Sequence, residues 1–293
     1  MPPMHFSPMR RILLCALLVL ATVPALAAAG RVECAAVRSS LMRRPVRYCA
    51  LLPPGYDADR KQFYPVLYWL HGLGGNEQSF VQQGGWTLLE QLRSRAAIGD
   101  FIVITPDGDG TFYVDSRDGR RPFESFFFQE FMPAVEKRYR IRQDRASRGI
   151  SGMSMGGYGA LHLAFTHPML FSSVSAHFAA LIDKASPAIL TGGSLRVMNL
   201  AFGDPFDVAY WDRLNPLRIA EKTNGLAGLK IYFDCGREDV FGFDAGSGVL
   251  DRILTERHIA HEYHLYPGGH DWEFAGQHLP ASLAFHWRAF IAH

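Results

Sequence analysis

Short, unbroken apolar stretches alternate with segments of helical period along most of this chain. Residues 64–70 (Tyr-Pro-Val-Leu-Tyr-Trp-Leu) and 101–105 (Phe-Ile-Val-Ile-Thr) are apolar runs of strand length, the pattern of strands buried on both faces. Residues 146–151, 172–176, 230–234 and 261–266 supply further strands. At the start, 31–38 and 45–52 are placed to pair as an antiparallel hairpin. Helices are expected over 86–96, 155–167, 248–258 and 279–291. The clearest helical period lies over 126–139, where Phe127, Phe131, Val135 and Tyr139 recur on one face and read as core residues. Strands alternating with helices predict an α/β fold: a mostly parallel sheet covered on both faces.

The composition agrees with one globular domain. Of 293 residues, 48% are hydrophobic and 20% charged, enough apolar material for a sizeable core. The formal net charge of +2 gives no reason to invoke a nucleic-acid partner or an anionic surface. The first 27 residues stand apart from this pattern. Arg10 and Arg11 precede an apolar run, 12–21, that is too short to span a bilayer, and Ala25-Leu26-Ala27 offers a small-x-small cleavage site. Residues 1–27 are therefore expected to be an export signal, leaving a domain over 28–293 that is periplasmic or secreted and makes no stable membrane association. In an oxidising compartment Cys34 and Cys49, one on each arm of the hairpin, are candidates for a disulfide, and Cys235 reads as a buried free thiol.

Gly152-Met153-Ser154-Met155-Gly156 lies between the strand ending at 151 and the helix ending before Pro168. Gly-x-Ser-x-Gly at a strand-to-helix junction is the spacing of a sharp turn that exposes a nucleophilic serine. A serine at a helix start is also a common N-cap; three further segments favour the nucleophile. His71-Gly72-Leu73-Gly74-Gly75 follows the strand at 64–70 and can aim a backbone N–H into a site. An acidic loop, 234–239, follows a strand, and Gly268-Gly269-His270-Asp271-Trp272 follows the last one. A serine hydroxyl needs an imidazole to take its proton, and the imidazole needs a carboxylate to fix its tautomer and stabilise its charge. His270 fits the first role. For the second, Asp239 leads over Asp234, which sits at the strand end where it would brace the turn, and over Glu238 and Asp244. His258, His261 and His264 repeat every third residue but span a helix end and a new strand, so no metal site is expected there. Asp107-Gly108-Asp109-Gly110 has Phe112 where a calcium loop needs its glycine and reads as a turn.

On the segments 51–56, 71–75, 148–157, 234–239 and 269–272, the chain resembles the esterase D-like family of α/β-hydrolases. That family includes feruloyl esterases, S-formylglutathione hydrolases and mycolyltransferases. The resemblance implies an α/β-hydrolase fold, with 28–293 as a single catalytic domain, no cofactor, and a small-molecule ester as substrate. It implies Ser154 as nucleophile, Asp239 as acid, His270 as base, and the backbone N–H groups of Leu73 and Met155 as oxyanion donors. Tyr113, in the loop after the strand at 101–105, and Trp272, beside His270, are candidate substrate-binding residues. Phe178, Phe202 and Trp211 are available as apolar lining in 176–229, where the chain departs most from the family. The activity so implied is that of a serine carboxylesterase acting on small or aryl esters through an acyl-enzyme. The alternatives are a mycolyltransferase-type acyltransferase, a thioesterase like S-formylglutathione hydrolase, and a non-catalytic binding protein of the same fold.

Overall fold

The computed structural model describes Met1 and residues 30–185 and 192–292. The expected export signal over 1–27 lies outside the described residues, Met1 apart.

Eight strands form one sheet: β1 (Arg31–Ser39), β2 (Arg44–Leu52), β3 (Val66–Leu70), β4 (Ile102–Pro106), β5 (Arg148–Met153), β6 (Ser173–His177), β7 (Lys230–Gly236) and β8 (His261–Tyr266). Their spatial order is β1-β2-β4-β3-β5-β6-β7-β8. The first two strands form the expected hairpin, β2 is also antiparallel to β4, and every neighbouring pair from β4 to β8 is parallel. Cys34 sits opposite Cys49 in the hairpin, and the two are joined by a disulfide. Cys235 is a buried free thiol.

The helices are α1 (Ser79–Gln82), α2 (Gly85–Ser94), α3 (Phe123–Phe126), α4 (Met132–Arg138), α5 (Met155–Thr166), α6 (Gly192–Phe202), α7 (Val208–Leu214), α8 (Pro216–Lys222), α9 (Phe243–Glu256) and α10 (Trp272–Phe290). Strand β3 shows how the sheet separates them. Val66, Tyr68 and Leu70 belong to one apolar cluster and Leu67 and Trp69 to another, because successive side chains of a strand point to opposite faces. The Trp69 side is closed by Phe80 of α1, Leu89 of α2 and Leu279 and Leu283 of α10. The Tyr68 side is closed by α3, α4, α5 and α9, with α6 to α8 adding Met198, Trp211 and Leu217. Among the described residues no helix is long and apolar enough to cross a membrane.

The helix expected over 126–139 begins at Phe123 and contains a π-helical turn, Phe127–Phe131. Phe127, Phe131 and Val135 are fully buried there, as their spacing requires. Helix α9 starts at Phe243 rather than 248, and α10 at Trp272 rather than 279. In α10 the Asp271 carboxylate accepts the Phe274 N–H at 2.8 Å, a cap that starts the helix directly after His270 and leaves Pro280 inside it. Short helices α7 and α8 are set off by capping side chains too: Asp207 accepts from Tyr210 N, and Asn215 from Leu217 N with Pro216 in the first turn.

A polar seam lies between α10 and the sheet. His286 bonds Ser173 Oγ at 2.7 Å and Ser175 Oγ at 2.9 Å, and Ser175 donates to Ser151 Oγ at 2.7 Å. Burial, with a smaller contribution from His177, lowers the His286 imidazole from its ordinary 6.5 to about 3, so it is neutral at pH 7.

Candidate active site

The turn between β5 and α5 places Ser154 at φ 55° and ψ −119°, a left-handed backbone that a non-glycine residue holds only under constraint. Both flanking glycines are obligatory. A Cβ on Gly152 would overlap the Gly156 carbonyl, and one on Gly156 would overlap the Leu70 carbonyl of β3. The turn packs this tightly because strand, helix and the neighbouring strand end meet at one point, which lifts the serine side chain clear of the sheet.

His270 arrives from the loop between β8 and α10. Its Nε2 lies 2.9 Å from Ser154 Oγ and its Nδ1 2.8 Å from Asp239 Oδ2. The Asp239 side chain is fully enclosed, and 11% of the His270 side chain reaches solvent. Burial acts to raise the Asp239 carboxyl; the His270 hydrogen bond and charge, with the Phe241 N–H at 2.8 Å, outweigh it and hold the group below its ordinary 3.8. The Cys235 thiol lies 3.6 Å from the same carboxylate, and burial followed by that charge pushes the thiol well up, which leaves it unreactive. Three phenylalanines enclose the imidazole, with ring centroids 4.5 Å (Phe178), 4.7 Å (Phe241) and 5.4 Å (Phe243) away. The other acidic side chains go elsewhere. Glu238 accepts the Gly268 N–H and so braces the His270 loop, Asp244 lies in the first turn of α9, and Asp234 bonds His177.

The loop after β3 is fixed from below. Buried His71 donates from Nδ1 to the Gly72 carbonyl at 2.8 Å and accepts the Gly108 N–H at Nε2 at 2.9 Å, which sets its tautomer. Leu73 and Met155 border the cavity that holds Ser154 and His270, and among the described residues neither backbone N–H is taken by a backbone acceptor. Met155 also opens α5, so the positive end of that helix faces the serine.

The cavity has a volume of about 520 Å³. Its walls are apolar: Phe112, Met198 and Trp211 on one side, Phe241 and Phe243 on another, with Met153 and Met155 beside the serine. Among the described residues no Asp, Glu, Lys or Arg lines it, and the phenol of Tyr158 is committed to the Leu214 carbonyl at 2.9 Å. At the mouth Leu73 (52% exposed), Val240 (82%) and Phe241 (58%) present bare apolar surface.

Two sequence expectations for this cavity are corrected. Tyr113 does not line it. The chain turns through left-handed φ at both Phe112 and Tyr113, which turns Phe112 into the cavity and sends Tyr113 underneath, where it is fully buried and donates to the His71 carbonyl at 2.9 Å. Trp272 is likewise absent from the lining; as the first residue of α10 it packs on the opposite side of the sheet, 6.3 Å from Trp69. Of the three aromatics proposed from 176–229, Trp211 lines the cavity, Phe202 stands behind Phe112 at 5.3 Å, and Phe178 backs His270. The spaced histidines diverge: His261 bonds Asp251 and the Ile259 carbonyl, His264 packs between Tyr232 and Tyr266, and His258 lies in the turn after α9 at a left-handed φ.

The profile of the "Putative esterase" family matches residues 39–286, which contain all of these elements from β2 to most of α10. The chain belongs to that family. An acetyl esterase of Caldicellulosiruptor saccharolyticus is 28% identical over 268 residues, covering 87% of this chain and 96% of that protein. An esterase of Mycobacterium tuberculosis is 29% identical over 239 residues, or 75% of this chain; the chain spans about half (51%) of that relative's length. Among solved structures, a ferulic acid esterase superposes with a TM-score of 0.78 over 90% of this chain and 99% of its own at 24% identity. An S-formylglutathione hydrolase from Agrobacterium tumefaciens gives 0.73 over 91% and 98% at 19% identity. The fold is the α/β-hydrolase fold.

Proposed function

We propose that this esterase hydrolyses uncharged carboxylic esters with a small or aryl acyl group through an acyl-enzyme on Ser154. One observation carries the reading: the hydrogen-bonded row Asp239–His270–Ser154 opens into a cavity that offers a substrate no charged partner. Ser154 Oγ attacks the ester carbonyl while His270 Nε2 takes its proton. The negative charge that develops on the carbonyl oxygen falls to the N–H groups of Leu73 and Met155, each such donor being worth about 3 kcal/mol in the transition state. Asp239 holds Nδ1–H and stabilises the imidazolium. Collapse expels the alcohol, protonated by His270, and leaves the acyl group on Ser154; water then repeats the sequence. The named activities of the relatives, on acetyl and feruloyl esters, fall within this substrate class.

A glutathione thioester brings two carboxylates and an ammonium group, none of which finds a partner among the lining residues. A panel of chromogenic esters of rising acyl length and of aryl acids, beside S-formylglutathione, decides the class. Uncharged esters are expected to exceed the thioester in kcat/KM by about 100-fold, the cost of desolvating unpaired charge. A preference for S-formylglutathione would overturn the reading. So would transfer of the acyl group to an added alcohol or sugar in preference to water.

The export reading stands with this proposal. The Arg10-Arg11 and apolar pattern supports it, and a disulfide at Cys34–Cys49 suits an oxidising compartment. Mass spectrometry of protein from a natural or reconstituted secretion system is expected to find a mature N-terminus within a few residues of Ala28 and no free thiol at Cys34 or Cys49. Full-length protein starting at Met1 in the periplasm or medium would contradict the signal, and reduced Cys34 and Cys49 the bridge.

A further inference from the structure

Beneath the site lies a second Ser–His–Asp row that has no access to substrate. His177, the last residue of β6, bonds Asp234 of β7 through Nδ1 (2.9 Å to Oδ2) and Ser282 of α10 through Nε2 (2.9 Å to Oγ). Ser282 is fully buried, and His177 and Asp234 are each 1% exposed, so no ester reaches this serine. The Ser282 hydroxyl also lies 3.1 Å from the Leu279 carbonyl, and Tyr232 donates to Asp234 at 3.0 Å, which closes both ends of the row.

What the row holds is the segment on which Ser154 leans. Ser154 N donates to the His177 carbonyl at 2.9 Å, and Ala180 N donates to the Ser154 carbonyl at 3.0 Å. Residues 177–180 thus grip both backbone groups of a serine kept at φ 55°. The same segment carries Phe178, itself at φ 34°, whose N–H donates to the Asp234 carbonyl at 2.7 Å and whose ring backs His270. A residue in so sparsely populated a conformation persists only when its surroundings over-determine it. Asp234 does so twice, through its side chain on His177 and its carbonyl on Phe178.

We infer that Ser282, His177 and Asp234 are positioning residues: their closed row fixes the segment 177–180 and through it the attack geometry of Ser154 and the imidazole plane of His270. The inference rests on Ser154 being the nucleophile. It separates the two Ser–His–Asp rows by role, one exposed to substrate and one sealed to hold it in place.

The test uses full-length Ser282→Ala and Asp234→Asn, with Ser173→Ala as the control. Ser173 belongs to the neighbouring seam on His286 and does not line the cavity. Each variant is measured for Tm, for kcat and KM on an uncharged chromogenic ester, and for the rate of labelling by a fluorophosphonate, with the labelled peptide identified. Ser282→Ala and Asp234→Asn are expected to fold, to lose about 10- to 100-fold in kcat with KM within about twofold, and to label more slowly in proportion. Ser173→Ala is expected to lower Tm and leave kcat unchanged. Wild-type kcat and labelling rate in folded Ser282→Ala would overturn the inference, as would an equal kcat loss in Ser173→Ala. If Asp234→Asn does not fold, Ser282→Ala alone decides. A wild-type label on Ser282 would refute the sealed row, whereas a label on neither serine would refute the nucleophile assignment instead.

Discussion

Replacing Ser154 by alanine is expected to lower kcat for an uncharged ester by about 10⁴-fold or more and to leave the fold intact. With Ser154 as the proposed nucleophile, the acyl-enzyme route disappears with the hydroxyl, since among the described residues His270 Nε2 bonds no other hydroxyl or thiol. Residual turnover is expected from the proposed oxyanion donors, the Leu73 and Met155 N–H groups, polarising the carbonyl for direct attack by water, so the loss is large but finite. The left-handed backbone at 154 is set by contacts to the His177 carbonyl and the Ala180 N–H, and alanine retains both, so Tm is expected to stay within a few degrees of wild type. Purified Ser154→Ala with near-wild-type kcat would refute the assignment.

The parts of this molecule legible in the sequence are those whose signal is local. Strands β3 and β4 announce themselves because both faces are buried, so the apolar run is continuous; the hairpin at 31–52 and the glycine-flanked turn at Ser154 are likewise written in adjacent residues. Start points fail where a cap competes with a more conspicuous residue. Pro280 resembles a residue of a first helical turn, yet Asp271 has already started α10, and the sheet-facing side of that helix supplies packing that outweighs one lost hydrogen bond. The inversion of Phe112 and Tyr113 depends on two successive left-handed residues, neither of them the glycine that signals such a conformation. Least legible is the row beneath the site. His177 and Ser282 are 105 positions apart, and only the strand order that sets β6 beside β7, with α10 packed on them, brings them together.

Asp239→Asn is expected to cost about 10⁴-fold in kcat, against about 10- to 100-fold for Asp234→Asn. Both carboxylates are buried, both bond a histidine Nδ1, and both lie at the end of β7 or just after it, so burial and charge do not distinguish them. The difference is which histidine each one serves. As the proposed base, His270 must gain a proton from Ser154 and hold it through the transition state; an amide at 239 offers its own N–H to Nδ1, favours the tautomer with the proton on Nε2, and leaves that nitrogen unable to accept. His177 makes no proton transfer, so an amide at 234 disturbs only the placement of 177–180. A further readout separates the two roles. Since Asp239 is held below its ordinary 3.8, its ionised form contributes stability that is present above that value and lost as pH falls through the lower native one. Asp239→Asn is therefore expected to flatten the fall in Tm below about pH 4 while lowering kcat by about 10⁴-fold. Purified variants assayed side by side for kcat and for Tm against pH check both halves, and an Asp234→Asn loss exceeding that of Asp239→Asn would refute Asp239 as the acid of the triad.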